Sequence, residues 1–372
     1  MAIKSLDVQP LNIPFKQAFV HASAVRAMTE AVLVTVTNGD GVQGIGEGCP
    51  RHYVTGETVD SIQRFISRHR DHWMGFTSVQ DVKQWVAEYA SIIDQNPAAC
   101  CAVETACLDL FGKEAGLPIE ALLGLPSLNN RFQYSAVLGT DNLQSFEKQL
   151  QRYRSVGFTD FKVKVTGRLQ DDIDKLAQLA VSQDSNTRVR LDANNLWSDV
   201  ESALSYLRTL PGRITAIEEP LKVGDYDGSR LLVRELNIPI ILDESFLRVN
   251  QFALIQSDPP STWIINIRVS KMGGILRSLA VAKRAKEIGI PIIIGAQVGE
   301  TSILTRAALT VANSYRDIVL AQEGAFGTLL LEWDICDPSL MFGAAGRLDA
   351  TERGDRAGLG LKLRERKQGR GE

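Results

Sequence analysis

Leu191-Asp192-Ala193-Asn194, Ile217-Glu218-Glu219-Pro220 and Leu242-Asp243-Glu244-Ser245 each close an apolar, strand-like stretch, and their lead acids Asp192, Glu218 and Asp243 lie 26 and 25 residues apart. That interval holds one strand, one helix and two loops. Acids at the ends of successive parallel strands converge on one rim of a barrel. Three hard oxygen ligands there suit Mg²⁺, with Mn²⁺ as a substitute. One unit upstream stands Phe161-Lys162-Val163-Lys164-Val165. Side chains two apart on a strand share a face, so both ammonium groups point at that same rim. An acid after a strand is often only a helix N-cap. Three such runs in phase, preceded by an in-phase Lys-x-Lys, point instead to an enzyme.

The same alternation extends in both directions. Strands are expected near 133–138, 160–165, 188–192, 214–218, 239–243, 263–267, 291–295 and 317–321. Helices are expected between them, near 143–155, 169–181, 199–209, 227–236, 247–256, 273–288 and 302–313. Eight strands joined by helices form a parallel sheet that closes into a barrel. The competing open, doubly wound sheet lacks its Gly-x-Gly-x-x-Gly after the first strand. Upstream, Ile3 to Ile13 and Ala31 to Thr37 alternate like half-buried antiparallel strands, and Asn38-Gly39-Asp40-Gly41 is a hairpin signal. Helical patterns follow near 59–73, 79–93 and 97–115, the last opened by Pro97 and closed by Gly116. The expected organisation is an α+β domain over 1–125, an α/β barrel over 126–331, and a segment over 332–372 that packs back on the N-terminal domain.

The chain has 372 residues, 44% hydrophobic and 23% charged, with a net charge of −3. Cores seldom grow past about 250–300 residues, so two domains are expected. Near-neutral charge offers no attraction for nucleic acid or an anionic membrane. No apolar run approaches the roughly 20 residues of a membrane helix. Met1-Ala2-Ile3-Lys4-Ser5 has no signal-peptide core. Five cysteines, with Cys100 and Cys101 adjacent, make no disulfide framework, and no Cys-x-x-Cys pair holds zinc. The expected location is the cytoplasm.

Asp109-Leu110-Phe111-Gly112-Lys113-Glu114-Ala115-Gly116-Leu117-Pro118, closed by Leu122-Leu123-Gly124, resembles the junction before the barrel in the enolase superfamily. With Lys162-x-Lys164, Asp192-Ala193-Asn194, Glu218-Glu219-Pro220, Asp243-Glu244-Ser245 and Gly273-Gly274, the ordered set resembles its muconate lactonizing enzyme subgroup over nearly the whole chain. The resemblance implies a modified (β/α)₇β TIM barrel with an N-terminal α+β cap and the active site between them. It implies Asp192, Glu218 and Asp243 as Mg²⁺ ligands, with Glu219 and Glu244 as neighbours on the other strand face. Mg²⁺ on a substrate carboxylate would stabilise the enediolate left when the α-proton departs. Lys164 is the expected base and Lys162 the charge beside it, the substrate a small carboxylate, and the assembly a homo-oligomer.

Two departures narrow the chemistry. The subgroup carries Asn-Ile-Lys on the sixth strand, where this chain reads Asn266-Ile267-Arg268, with Lys271 three residues on. Arginine is a poor base, so a one-base reaction is expected, with Arg268 as an electrostatic clamp. On the eighth strand, dipeptide epimerases hold the substrate amine with Asp-x-Asp, where this chain reads Ala321-Gln322-Glu323-Gly324. The expected activity is therefore a cycloisomerase of the muconate-lactonizing type or a syn-dehydratase of the o-succinylbenzoate synthase type. The alternatives are an amino-acid-derivative racemase or dipeptide epimerase, and a non-catalytic binding relative. Asn194, Asn266, Glu300 and Glu323 are placed in or behind the substrate site. Two capping loops, Pro14 to Val25 and Glu47 to Tyr53, bring Lys16, Phe19 and Tyr53 over it. His21 and His52 receive no chemistry.

Overall fold

A computed structural model describes residues 2–21, 24–139, 142–181, 186–351 and 356–365, without the side chains of 17–21, 24 and 25. Near the N-terminus lie five strands, β1 (Ile3–Leu11), β2 (Pro14–His21), β3 (Ala24–Met28), β4 (Ala31–Asn38) and β5 (Gln43–Gly48). β4 is central in an antiparallel sheet with β1 and β5, and β2 pairs with β3 as a separate hairpin. Asn38 Oδ1 closes the β4–β5 turn by accepting from the amides of Asp40 and Val42.

The Pro97–Ala115 helix is buried from Pro97 through Gly112, and its backbone presses directly on β5. A Cβ on Gly44, Gly46 or Gly48 would come within 2.1, 2.0 and 2.3 Å of the carbonyl oxygens of Ala106, Ala102 and Ala98. Every second residue of β5 must therefore be glycine for the helix to lie there. The same glycines hid β5 from the pattern of apolar residues.

From Arg131 the chain builds the parallel sheet. Its first stretch divides into β6 (Arg131–Gln133), which pairs with the late β15 (Arg347–Asp349), and β7 (Ala136–Leu138). Then follow β8 (Asp160–Lys164), β9 (Arg188–Asp192), β10 (Ile214–Glu218), β11 (Ile240–Leu242), β12 (Trp263–Ile267), β13 (Ile292–Ile294) and β14 (Val319–Gln322). These eight, β7 to β14, neighbour one another in chain order. A bridge between Tyr134 and Gln322, with Ser135 N 2.8 Å from Gln322 O, brings the two edges together. This is the (β/α)₇β barrel of the sequence reading, capped by the N-terminal elements.

Three expected helices differ. The 247–256 segment is a 3₁₀ helix, Val249–Leu254, because Gln251 bonds the amides of Leu247 and Arg248 and Pro259-Pro260 soon follow. The 273–288 helix is Ile275–Glu287, and an unexpected short helix, Val269–Met272, precedes it, the two separated where Gly273 and Gly274 take φ of 92° and 122°. The 79–93 helix divides at Tyr89 into Val79–Glu88 and Ala90–Gln95. Residues after Leu330 reach back to the N-terminal elements: Glu332 N donates to Pro14 O, and Leu359 N donates to Asp109 Oδ1. All five cysteines are free and buried. Among the described residues no helix is long and apolar enough to cross a membrane.

Candidate active site

The ends of the barrel strands open into a cavity lined by Lys162, Lys164, Asp192, Asn194, Glu244 and Arg268. Lys162 and Lys164 both point inward from β8, as alternation requires. Lys164 Nζ lies 2.9 Å from Asn194 Oδ1 and 3.3 Å from Asp192 Oδ2. Asn194 reaches it from a left-handed backbone conformation, φ 46°, which asparagine tolerates better than most residues.

Lys162 is committed to acids. Its Nζ stands 2.8 Å from Glu218 Oε2, 2.9 Å from Glu323 Oε2 and 3.4 Å from Asp192 Oδ2. Burial opposes the charge on this ammonium, but Glu218, Glu323 and Asp192 outweigh it and hold the group well above the usual lysine range. Arg268 bridges the other side: its Nη2 pairs with Asp243 Oδ2 and lies 3.7 Å from Glu218 Oε1. Asn266 Nδ2 donates to Glu218 Oε1 at 3.2 Å.

Asp192, Glu218 and Asp243 thus face one space, with Lys162 and Arg268 standing between them. Among the described residues no three acid, histidine or cysteine side chains sit close enough to grip an ion in this arrangement. The donor set nevertheless fits a hard cation. All three acids are at least 98% buried, and Glu218 Oε2, though near Lys162, has no aligned hydrogen-bond donor. Burial holds the Glu218 carboxyl above its usual range, with Lys162 pulling the other way. A divalent ion of hard character would satisfy such oxygens once the two cationic side chains turned aside.

Surrounding residues fix these groups. Glu219 turns away from the cavity, φ 39°, and accepts from Asp243 N, Ser245 N and Ser245 Oγ at 2.7–2.8 Å. Glu244 lines the cavity, with a buried Oε2 that has no donor. Lys271 is 1% exposed, and its amine donates to Asp243 O, Asp243 Oδ1 and Asn266 O. Glu300 lines the cavity, its Oε1 accepting from Gln297 N at 2.7 Å. Glu323 is drawn into the barrel between Lys162 and Arg190, whose guanidinium also meets Asp160 and Ser135.

Tyr53 lines the cavity from the capping side, its ring under the Arg26 guanidinium at 5.7 Å. Lys16 is exposed, and its backbone N donates to Leu330 O. The Phe19 side chain lies outside the described residues, as does that of His21. The Arg190–Asp160–Glu323 network was missed, although charges at every second position of two otherwise apolar strands (Asp160, Lys162, Lys164; Arg188, Arg190, Asp192) marked an inward ladder. Gln297 and the apolar wall of Val137, Ala296, Val298, Phe326, Leu330 and Leu331 were missed too. Apolar residues carry no site signal in a sequence.

Over residues 3–124 the chain matches the family described as mandelate racemase / muconate lactonizing enzyme, N-terminal domain, and over 145–367 the one described as enolase C-terminal domain-like. The chain belongs to the mandelate racemase / muconate lactonizing enzyme family of the enolase superfamily. Among superfamily members, it is 28% identical to the hydrophobic dipeptide epimerase of Enterococcus faecalis over 88% of this chain and 92% of that one. It is 27% identical to the L-Lys-D/L-Arg epimerase of Methylococcus capsulatus over 96% and 99%. The structure of the Enterococcus faecalis dipeptide epimerase complexed with Mg and the dipeptide L-Leu-L-Tyr superposes with a TM-score of 0.86 at 26% identity, covering 97% of this chain and all of that one. The muconate lactonizing enzyme of Pseudomonas putida shares the fold, with a TM-score of 0.84 at 23% identity over 98% and 97%. These two curated relatives are epimerases, which favours the racemase or epimerase alternative over the lactonizing or dehydrating reaction expected from Arg268.

Proposed function

We propose that this chain is a Mg²⁺-dependent isomerase of the racemase or epimerase type, moving the proton on the carbon next to a carboxylate. The observation that carries it is the gathering of Asp192, Glu218 and Asp243 around Lys162 and Arg268, with Lys164 beside Asp192 in the adjoining cavity, in a chain similar to two epimerases. Asp192, Glu218 and Asp243 would hold the metal, which when bound supplies a Lewis acid at the substrate carboxylate. Lys164 takes the α-proton. Asn194 aims its amine, and the charges of Lys162 and Arg268 favour an anionic substrate end beside it. Beyond that end the cavity wall is apolar, and its one strand-eight acid, Glu323, is already paired with two cations. A substrate whose amine is acylated suits that wall better than one carrying a free ammonium there.

The test is deuterium incorporation at that carbon, followed by NMR in D₂O, with L-leucyl-L-tyrosine and N-succinyl-L-arginine as probes. Mg²⁺-dependent exchange that falls by about 10²–10⁴-fold in Lys164→Ala from the L probe or from its stereoisomer at that carbon supports the proposal. Exchange that persists at full rate from both stereoisomers in Lys164→Ala, or without divalent metal, contradicts it.

A further inference from the structure

An isomerase that inverts a carbon needs a proton donor and acceptor on both of its faces, and β8 supplies only one, Lys164. β8 and β12 are four strands apart in the eight-stranded order, so Arg268, just past the end of β12, stands across the barrel from Lys164. An arginine side chain keeps its proton and serves poorly as a base. Lys271 is enclosed, with its three donors used. The next strand brings another candidate. Gln297 and Glu300 follow β13 and are strung to Arg268: Arg268 Nη1 donates to Gln297 Oε1 at 2.9 Å, and Gln297 N donates to Glu300 Oε1 at 2.7 Å. Glu300 and Arg268 line the same cavity as Lys164.

We propose that Glu300 is the second proton donor and acceptor, acting on the substrate face opposite Lys164. This rests on the isomerase reading above. From one antipode the C–H bond breaks, its proton passes to the neutral Lys164 amine and the electron pair stays on carbon. The Glu300 O–H bond then breaks and its proton forms the new C–H bond on the other face. Turnover leaves Lys164 protonated and Glu300 a carboxylate, and exchange of one proton at each with solvent restores both. From the other antipode the two roles are reversed. Burial raises the Glu300 carboxyl to about 7, with Arg51 and Arg268 drawing it down, so both protonation forms are populated near neutrality. Glu47, also buried nearby, repels its charge.

The experiment follows exchange in D₂O separately from N-succinyl-L-arginine and from N-succinyl-D-arginine, with Mg²⁺ present. Glu300→Gln keeps the acceptor for Gln297 N. It is expected to suppress exchange from one antipode by about 100-fold or more and to stop inversion, while the other antipode still exchanges with retention through Lys164. Lys164→Ala should give the mirror-image loss, and Glu300→Asp should restore part of the inversion. Glu300→Gln that slows both antipodes equally, or neither, overturns the assignment, as does the one-sided loss appearing in Glu244→Gln instead. Failure of both antipodes to exchange in the unsubstituted enzyme overturns the isomerase reading itself, and this assignment with it.

Discussion

Asn194 holds Lys164 Nζ at 2.9 Å from a left-handed turn that follows directly on Asp192, so one short segment offers both an acid and the group that positions Lys164, the proposed base. Glycine adopts that conformation freely. Asn194→Gly should therefore leave the turn and the unfolding midpoint close to the parent while slowing exchange by roughly tenfold, the worth of one lost hydrogen bond. A rate unchanged in Asn194→Gly would mean that the amide does not orient the base. At this scale the acids and both lysines were legible in the sequence, because a charged residue at the end of an apolar run has few structural reasons to be there. Where Arg268 pairs was not legible. Its bond to Asp243 depends on side chains from two strands coming together, which spacing alone does not specify.

Buried acids join elements throughout the molecule. Glu47 on β5 accepts from Thr301 N and Leu304 N at the start of the Ser302–Ser314 helix, and Glu57 accepts from Ala98 N and Ala99 N in the first turn of the Pro97–Ala115 helix. Glu104 accepts from Leu276 N at the start of the Ile275–Glu287 helix, and a Cβ on Gly274 would lie 2.5 Å from its carboxylate. Backbone amides at a helix start favour a negative charge. For Glu104, one of whose oxygens is buried without a donor, burial prevails and raises the carboxyl to about 8. Its folded value thus exceeds its unfolded one, so its contribution is full below about pH 4.5 and is lost as pH rises through 8. Glu104→Gln should flatten this part of the stability profile between pH 5 and 8, measured by urea unfolding. An equally steep decline in the variant would refute the assignment. Gly46→Ala forces a methyl onto Ala102 O and should cost about 2–3 kcal/mol or more, read as a lower urea midpoint. A midpoint within about 0.5 kcal/mol of the parent would show that the Pro97–Ala115 helix can move away from β5. Most strand positions in the barrel were legible because buried parallel strands are near-continuous apolar runs, and β8 and β9 because their charges alternate with apolar residues. β5 was not, since its glycines respond to a helix fifty residues on.

The whole molecule places a cap, a barrel and a returning C-terminal segment around one charged cavity. Glu47 and Ser270 tie the cap to the barrel, Ser270 Oγ accepting from Cys49 N at 2.8 Å. Barrel and cap could be read from element order alone; the wall of the cavity could not, because it is assembled from short apolar pieces of several loops. With Lys162 and Arg268 lying between the three acids, a divalent ion held there would have to displace both cationic side chains. The most direct measurement is isothermal titration of Mg²⁺ into the unsubstituted chain and into Glu218→Gln, a near-isosteric change that removes one charged ligand. One Mg²⁺ per chain is predicted, with affinity falling at least about tenfold in Glu218→Gln. No binding to the unsubstituted chain, or equal binding by the two proteins, would contradict the account.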